Sequence, residues 1–141
     1  MRLGRAAVPA STAALLVACG GGGNGSADSA LPACADAPQT IERPDALPAS
    51  FPVPDGTAFV EERESGQFTL IDARSPGDLA AVRAFFDREL EDAGYTLNGG
   101  EAEEHEAETD FAGNGHSGHI VIRSIGGCDG AVRVGVTTAP G

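Results

Sequence analysis

The stretch Ser75–Gly94, SPGDLAAVRAFFDRELEDAG, decides the fold because it contains the clearest helix of the chain. We expect Ser75 to be the N-cap, with Pro76 at the first helical position and Asp78 completing a start that resembles a capping box. We expect Gly94 to end the helix as its C′ residue. Apolar residues recur at helical spacing between these ends and form one stripe: Leu79, Val82, Phe85, Phe86, Leu90 and Ala93.

Segments with the pattern of β-strands precede and follow this helix in the sequence. Residues 58–62 and 67–72 read as a hairpin before it, and Tyr95 and Leu97 begin a strand after it. Residues 103–111, 119–125 and 131–138 read as three further strands joined by glycine-rich loops. The helix can bury its stripe only against one face of a sheet. The prediction is an α+β domain over residues 47–140, with a single antiparallel sheet of four to five strands and one amphipathic helix packed on one face, in the order ββαβββ.

The N-terminal segment has the pattern of an export signal. Arg2 and Arg5 precede an uncharged run over residues 6–18, which is shorter than the roughly 20 residues of a membrane-spanning helix. The run ends in Leu16-Val17-Ala18-Cys19, which resembles the lipobox of bacterial lipoproteins. The resemblance implies that residues 1–18 are a signal peptide that is removed and that the Cys19 sulfur carries a lipid anchor. A plain secretory signal with an incidental cysteine is the alternative.

This resemblance also predicts the location of the protein in the cell. We expect the protein to be lipid-anchored and extracytoplasmic, in contact with the membrane through its N-terminal lipid. Because Gly20 rather than an aspartate follows Cys19, the usual sorting pattern implies the outer membrane of a Gram-negative cell, or otherwise the outer face of the cell membrane. Residues 19–46 are rich in glycine, serine and proline, which predicts a flexible tether behind the lipidated cysteine.

Two of the three cysteines remain once Cys19 is assigned to the lipid. An extracytoplasmic address permits a disulfide between Cys34 and Cys128. Two free thiols are the alternative. A metal site would need more ligands than two cysteines so far apart in sequence supply.

The charge of the chain restricts its partners. The net charge is −12, and the chain has no lysine. Such a surface repels nucleic acid and anionic lipid headgroups, so we expect no nucleic-acid partner. It is compatible with a cationic partner.

The acidic stretch over residues 101–110, EAEEHEAETD, has two interpretations. As a strand it places Glu104, Glu106, Glu108 and Asp110 on one face, with Glu106 near Arg123 across a hairpin and Arg133 on the same outer face. The first interpretation is a solvated sheet face with cross-strand charge pairs. The second is an acidic stripe that binds a cation or a partner, although the spacing lacks the Asp-x-Asp-x-Asp-Gly loop that binds calcium.

Three histidines are candidate metal ligands. His116 and His119 have the H-x-x-H spacing, and His105 or Asp110 would supply a further ligand. Residues three apart on a strand point to opposite faces, so polar turn residues are the competing interpretation. We therefore expect no resident metal, and these four residues are only candidates for one.

Catalytic motifs do not appear in the chain. The sequence has no G-x-S-x-G element and no phosphate-binding glycine loop before a helix. We expect a non-enzymatic binding or structural module of the cell envelope, without a cofactor and with an envelope protein as its partner. The alternative is a lipoprotein that binds a metal or small ligand through residues 101–110 and the nearby histidines.

A second resemblance covers roughly residues 51–138. The motifs that carry it are Phe51-Pro52-Val53-Pro54-x-Gly56, a hairpin, Gly77-Asp78, Phe85 and Gly94-Tyr95. In these the domain looks like a group of small bacterial lipoproteins of unknown function. The motifs are structural, so the resemblance implies no site residues.

Overall fold

The computed structural model describes residues 30–37 and 39–141. The predicted signal peptide, Cys19 and the first part of the predicted tether lie outside the described residues. A short 3-10 helix, Ala33–Ala35, precedes the domain. The remaining elements are β1 (Ala58–Ser65), β2 (Phe68–Pro76), α1 (Leu79–Asp92), β3 (Thr96–Asn98), β4 (Glu106–Gly113), β5 (His116–Ile125) and β6 (Cys128–Pro140).

The strands form one antiparallel sheet in the spatial order β1-β2-β6-β5-β4-β3. The predicted α+β class, with a single antiparallel sheet and one helix, is therefore confirmed. The predicted four to five strands and the order ββαβββ are wrong, since the described chain has six strands in the order ββαββββ. The extra strand is β3. Gly99 and Gly100, at φ 65° and 127°, turn the chain after Asn98, so three residues pair with β4 as a separate edge.

The core lies between α1 and the inner face of the sheet. Val82, Phe86 and Leu90 are buried on the helix stripe, as its spacing predicts. Opposite them, β-branched side chains alternate inward from the central strands: Ile71, Ile120, Ile122, Val132, Val134 and Val136. An aromatic cluster closes one end, where the ring of Phe51 lies 5.2 Å from that of Phe111 and 5.7 Å from that of Tyr95. Full burial of such a ring contributes roughly 1.5–3 kcal/mol.

The sequence predicts the C-terminal end of α1 correctly and its N-terminal end wrongly. The predicted N-cap, Ser75, is wrong: it is a fully buried residue of β2, which runs on through Pro76. Gly77, at φ 108°, redirects the chain, and the N-cap is Asp78, whose carboxylate accepts a 2.8 Å hydrogen bond from the Ala81 amide. The C-terminal prediction is confirmed, because Gly94 has φ 88° and the following amide donates back to the Leu90 carbonyl.

Part of the predicted tether packs on the domain. Ala35 is buried against β6, and Leu31 packs against the same cluster. Ile41 forms a bridge with Phe59 of β1, so residues beyond 40 run along the edge of the sheet. Of the predicted tether, the portion before residue 30 and residue 38 lie outside the described residues. Among the described residues, no helix has the length and apolar character needed to cross a membrane.

Candidate functional site

A groove of about 650 Å³ runs along the N-terminal half of α1. One wall is the helix face that presents Leu79, Ala80, Arg83, Ala84 and Asp87. The opposite wall comes from residues 102–104, which precede β4, and from residues 124–129, where β5 turns into β6. The volume falls in the range of sites that take small molecules or a few side chains of a peptide.

Small side chains make the groove possible. Its floor is formed by Ala107, Ala131 and Val132, which are all buried. Ala80, Ala84 and Ala102 stand around it and are exposed. On the helix wall, Ala80 and Ala84 are too small to reach the opposite wall. The groove therefore offers apolar surface that the core leaves unfilled.

The rim of the groove is acidic. It carries five carboxylates and one guanidinium: Asp78, Asp87, Glu103, Glu104, Asp129 and Arg83. The guanidinium lies 3.6 Å from the Asp87 carboxylate, in an i, i+4 pair along the helix. Within the described chain, Glu103 and Asp129 have no ion-pair partner. The apolar floor is thus bordered by negative charge, with the low-dielectric wall of the domain behind it.

A disulfide supports one end of the groove. The structure brings the predicted pair Cys34 and Cys128 to bonding distance, with Cα atoms 5.4 Å apart. Cys128 is itself a lining residue, and it packs with Ala35 and Ala131 in a small separate cluster. Because Ile125 belongs to both the cluster and the groove wall, the bond fixes the position of that wall.

The outer face of the sheet carries another concave surface, of about 200 Å³. Arg74, Arg133 and Arg123 occupy adjacent positions on β2, β6 and β5. Their charges are matched within the sheet. Asp72 accepts a 2.8 Å bond from Arg74 and two bonds, of 3.0 and 2.8 Å, from Arg133.

The acidic strand completes that pairing. Arg123 forms an ion pair with Glu106, its cross-strand partner, which confirms the predicted pair across the β4–β5 hairpin. The predicted alternation also holds within β4, where Ala107 and Phe111 point into the core and the acids do not. On this face Glu106 therefore takes part in a cross-strand charge pair, as the first interpretation of the acidic stretch predicts.

The histidine candidates are only partly brought together. His119 Nδ1 lies 2.7 Å from Asp110 Oδ1, and Nε2 lies 3.7 Å from Glu108 Oε2. His116, three positions earlier on β5, has the register of the opposite face. His105 precedes β4, is largely exposed and lies 3.7 Å from Glu104. Among the residues that the structure describes, no three metal-ligating side chains are placed to hold one ion.

Comparison of the chain with protein-family models, curated proteins and solved structures gives no significant match.

The groove residues were missed by sequence reasoning. Alanine carries no chemistry, so Ala80, Ala84 and Ala102 give no motif that marks a site. The one available signal is that residues 80, 81 and 84 are small on the side of the helix away from the stripe. That pattern is equally typical of a solvent-facing helix surface.

Proposed function

We propose that the protein is a lipid-anchored extracytoplasmic lipoprotein that acts as a non-enzymatic binding module of the cell envelope, with the groove as its binding surface. The observation that carries the proposal is the groove itself. An apolar floor bordered by a polar rim is the arrangement found at recognition surfaces. The outer sheet face offers less, because its arginines are already paired with Asp72 and Glu106.

The proposed anchor is supported by the lipobox-like residues at 16–19 and by the cysteine pair. A bond between Cys34 and Cys128 persists in an oxidising compartment, which agrees with export. The described chain begins at residue 30, and Pro32 packs near Gly130 at the groove end. A flexible Gly/Ser-rich tether from Cys19 to Ala30 would have a root-mean-square end-to-end distance of about 20 Å, which would place the groove near the membrane surface.

Cell fractionation tests the anchor. We expect the wild-type chain in the membrane fraction and the Cys19→Ala variant in the soluble fraction. The matched control is Cys34→Ala, which removes a cysteine without touching the lipobox and should stay with the membrane. If the Cys19→Ala variant remains in the membrane fraction, the lipid-anchor proposal fails.

Cross-linking in the native cell tests the groove. A photoreactive residue at Ala84 faces the groove, and one at Ala81 lies on the same helix outside it. We expect the first to give a discrete cross-linked product whose partner peptide maps to one segment, and the second to give none. Equal products from both positions, or none from Ala84, would contradict a binding role for the groove.

A further inference from the structure

The acidic rim restricts the chemical class of ligand that the groove can bind. The inference drawn from it rests on the proposed function. We propose that the groove binds a basic peptide segment that carries an apolar anchor residue, presented by an envelope partner near the membrane surface. The exposed alanines Ala80, Ala84 and Ala102 supply the apolar contact above the buried floor, and the rim supplies the charge complementarity.

The carboxylates of the rim differ in whether a partner within the domain already occupies them. Asp78 is occupied as the helix cap, and Asp87 faces Arg83. Glu103 and Asp129 stand on the opposite wall and have no ion-pair partner in the described part of the chain. An anionic ligand would face these carboxylates at short range, whereas lysine or arginine side chains would neutralise them.

The volume of the groove favours a peptide over a free cation. A volume of about 650 Å³ exceeds what a metal ion occupies, and the buried floor is apolar. A polyamine would satisfy the rim and leave the exposed alanine side chains of the groove, Ala80, Ala84 and Ala102, in contact with water. A short segment with one leucine-sized side chain between basic residues would satisfy both parts at once.

The position of the groove favours a partner close to the membrane. Cys128, which lines the groove, is bonded to Cys34 near the start of the described chain. The tether therefore leaves the domain beside the groove. A flexible Gly/Ser-rich chain of this length has a root-mean-square end-to-end distance of about 20 Å, so a segment bound in the groove would lie near the proposed lipid anchor.

The test is an equilibrium titration of the full chain, purified in a non-ionic detergent, with three fluorescent heptapeptides. The first has two lysines at each end and Leu-Ala-Leu between them. The second replaces the lysines with glutamates, and the third keeps the lysines and replaces the middle with Ser-Gly-Ser. We expect saturable binding of the first only, weakened by added salt because the rim contacts are exposed.

Variants locate the binding. Ala84→Trp fills the groove from an exposed helix position and should abolish binding, while Ala81→Trp should leave it unchanged. Glu103→Gln with Asp129→Asn should weaken the affinity about fivefold. Glu62→Gln with Glu64→Gln removes the same charge from the exposed edge strand β1 and should have no such effect.

The outcomes separate this inference from the function it rests on. Equal binding of the first and third peptides, or binding that Ala84→Trp leaves intact, would overturn the inference. If the cross-link from Ala84 maps to a partner segment without basic residues, the groove is a binding surface and this ligand class is wrong. If neither peptide binding nor a cross-link is seen, both proposals fail together.

Discussion

Loss of the Cys34–Cys128 bond should remove much of the stability of the domain. The two cysteines are 94 positions apart, and the loop between them contains β1 to β5 and the helix. In the chain-entropy description, opening a loop of this length releases about 4.7 kcal/mol of unfolded-state freedom, and measured losses run from about 2 to 5 kcal/mol. A small domain has only about 5–15 kcal/mol in total.

Urea unfolding of the oxidised chain and of the Cys34→Ser, Cys128→Ser double variant measures this loss. With a slope of about 1.5 kcal/mol per molar, the midpoint should fall by about 1 to 3 M. The matched control is the double variant with and without reductant, which should give the same curve. Intact mass after alkylation establishes the bond in the oxidised chain.

Two results would refute the reasoning. If the bonded chain and the double variant differ by less than about 1 kcal/mol, closing this loop does not constrain the unfolded state as supposed. If both cysteines of the folded, unreduced chain react with an alkylating agent, the bond is absent under those conditions.

Three further pairs of substitutions test the helix cap, the close approach at Gly118 and the ion pairs of the sheet face. Asp78→Ala should cost about 1 kcal/mol in thermal melts followed by circular dichroism, because it removes the helix cap, and Asp78→Asn should restore most of it; an unchanged melt for the alanine variant would contradict the assigned cap. Gly118→Ala should lower the free energy of unfolding in urea by about 2 kcal/mol or more, because its Cβ would lie 2.6 Å from the ring of Phe111. A Cβ at Gly126 meets nothing within 4 Å, so Gly126→Ala should be near neutral. Equal urea midpoints for the two variants would contradict the close approach at Gly118. Asp72→Asn should lower the free energy of unfolding by about 2 kcal/mol in the same assay, because it unpairs Arg74 and Arg133. Asp87→Asn, in an exposed helix pair, should lower it by under about 0.5 kcal/mol. The reverse order would show that the sheet-face pairs are dispensable.

The parts of the fold that follow from hydrophobic period could be predicted from the sequence. The recurrence of Val82, Phe86 and Leu90 identified the buried helix face, and alternation in β4 separated core residues from acids. The cross-strand partner of Glu106 followed from counting outward from the β4–β5 turn. These features depend on local spacing, which the sequence carries directly.

The features that escaped prediction depend on tertiary contacts. Ser75 has the residue type of a helix cap, yet pairing of β2 with β6 extends the strand through it and moves the cap three residues on. Tyr95 and Leu97 indicate the start of a strand, but the three residues Thr96–Asn98 are too few to show a period that would mark them as a separate edge strand. The groove arises where residues far apart in sequence leave a gap, so no single stretch indicates it.

The most direct test of the central claim, that the groove is the binding surface, is hydrogen–deuterium exchange of the full chain with and without the basic, leucine-containing heptapeptide. Our account predicts slower exchange in residues 79–87, 102–107 and 124–132, and unchanged exchange over β2 and residues 133–137 of the outer sheet face. Protection confined to the outer sheet face, with the groove segments unchanged, would contradict it.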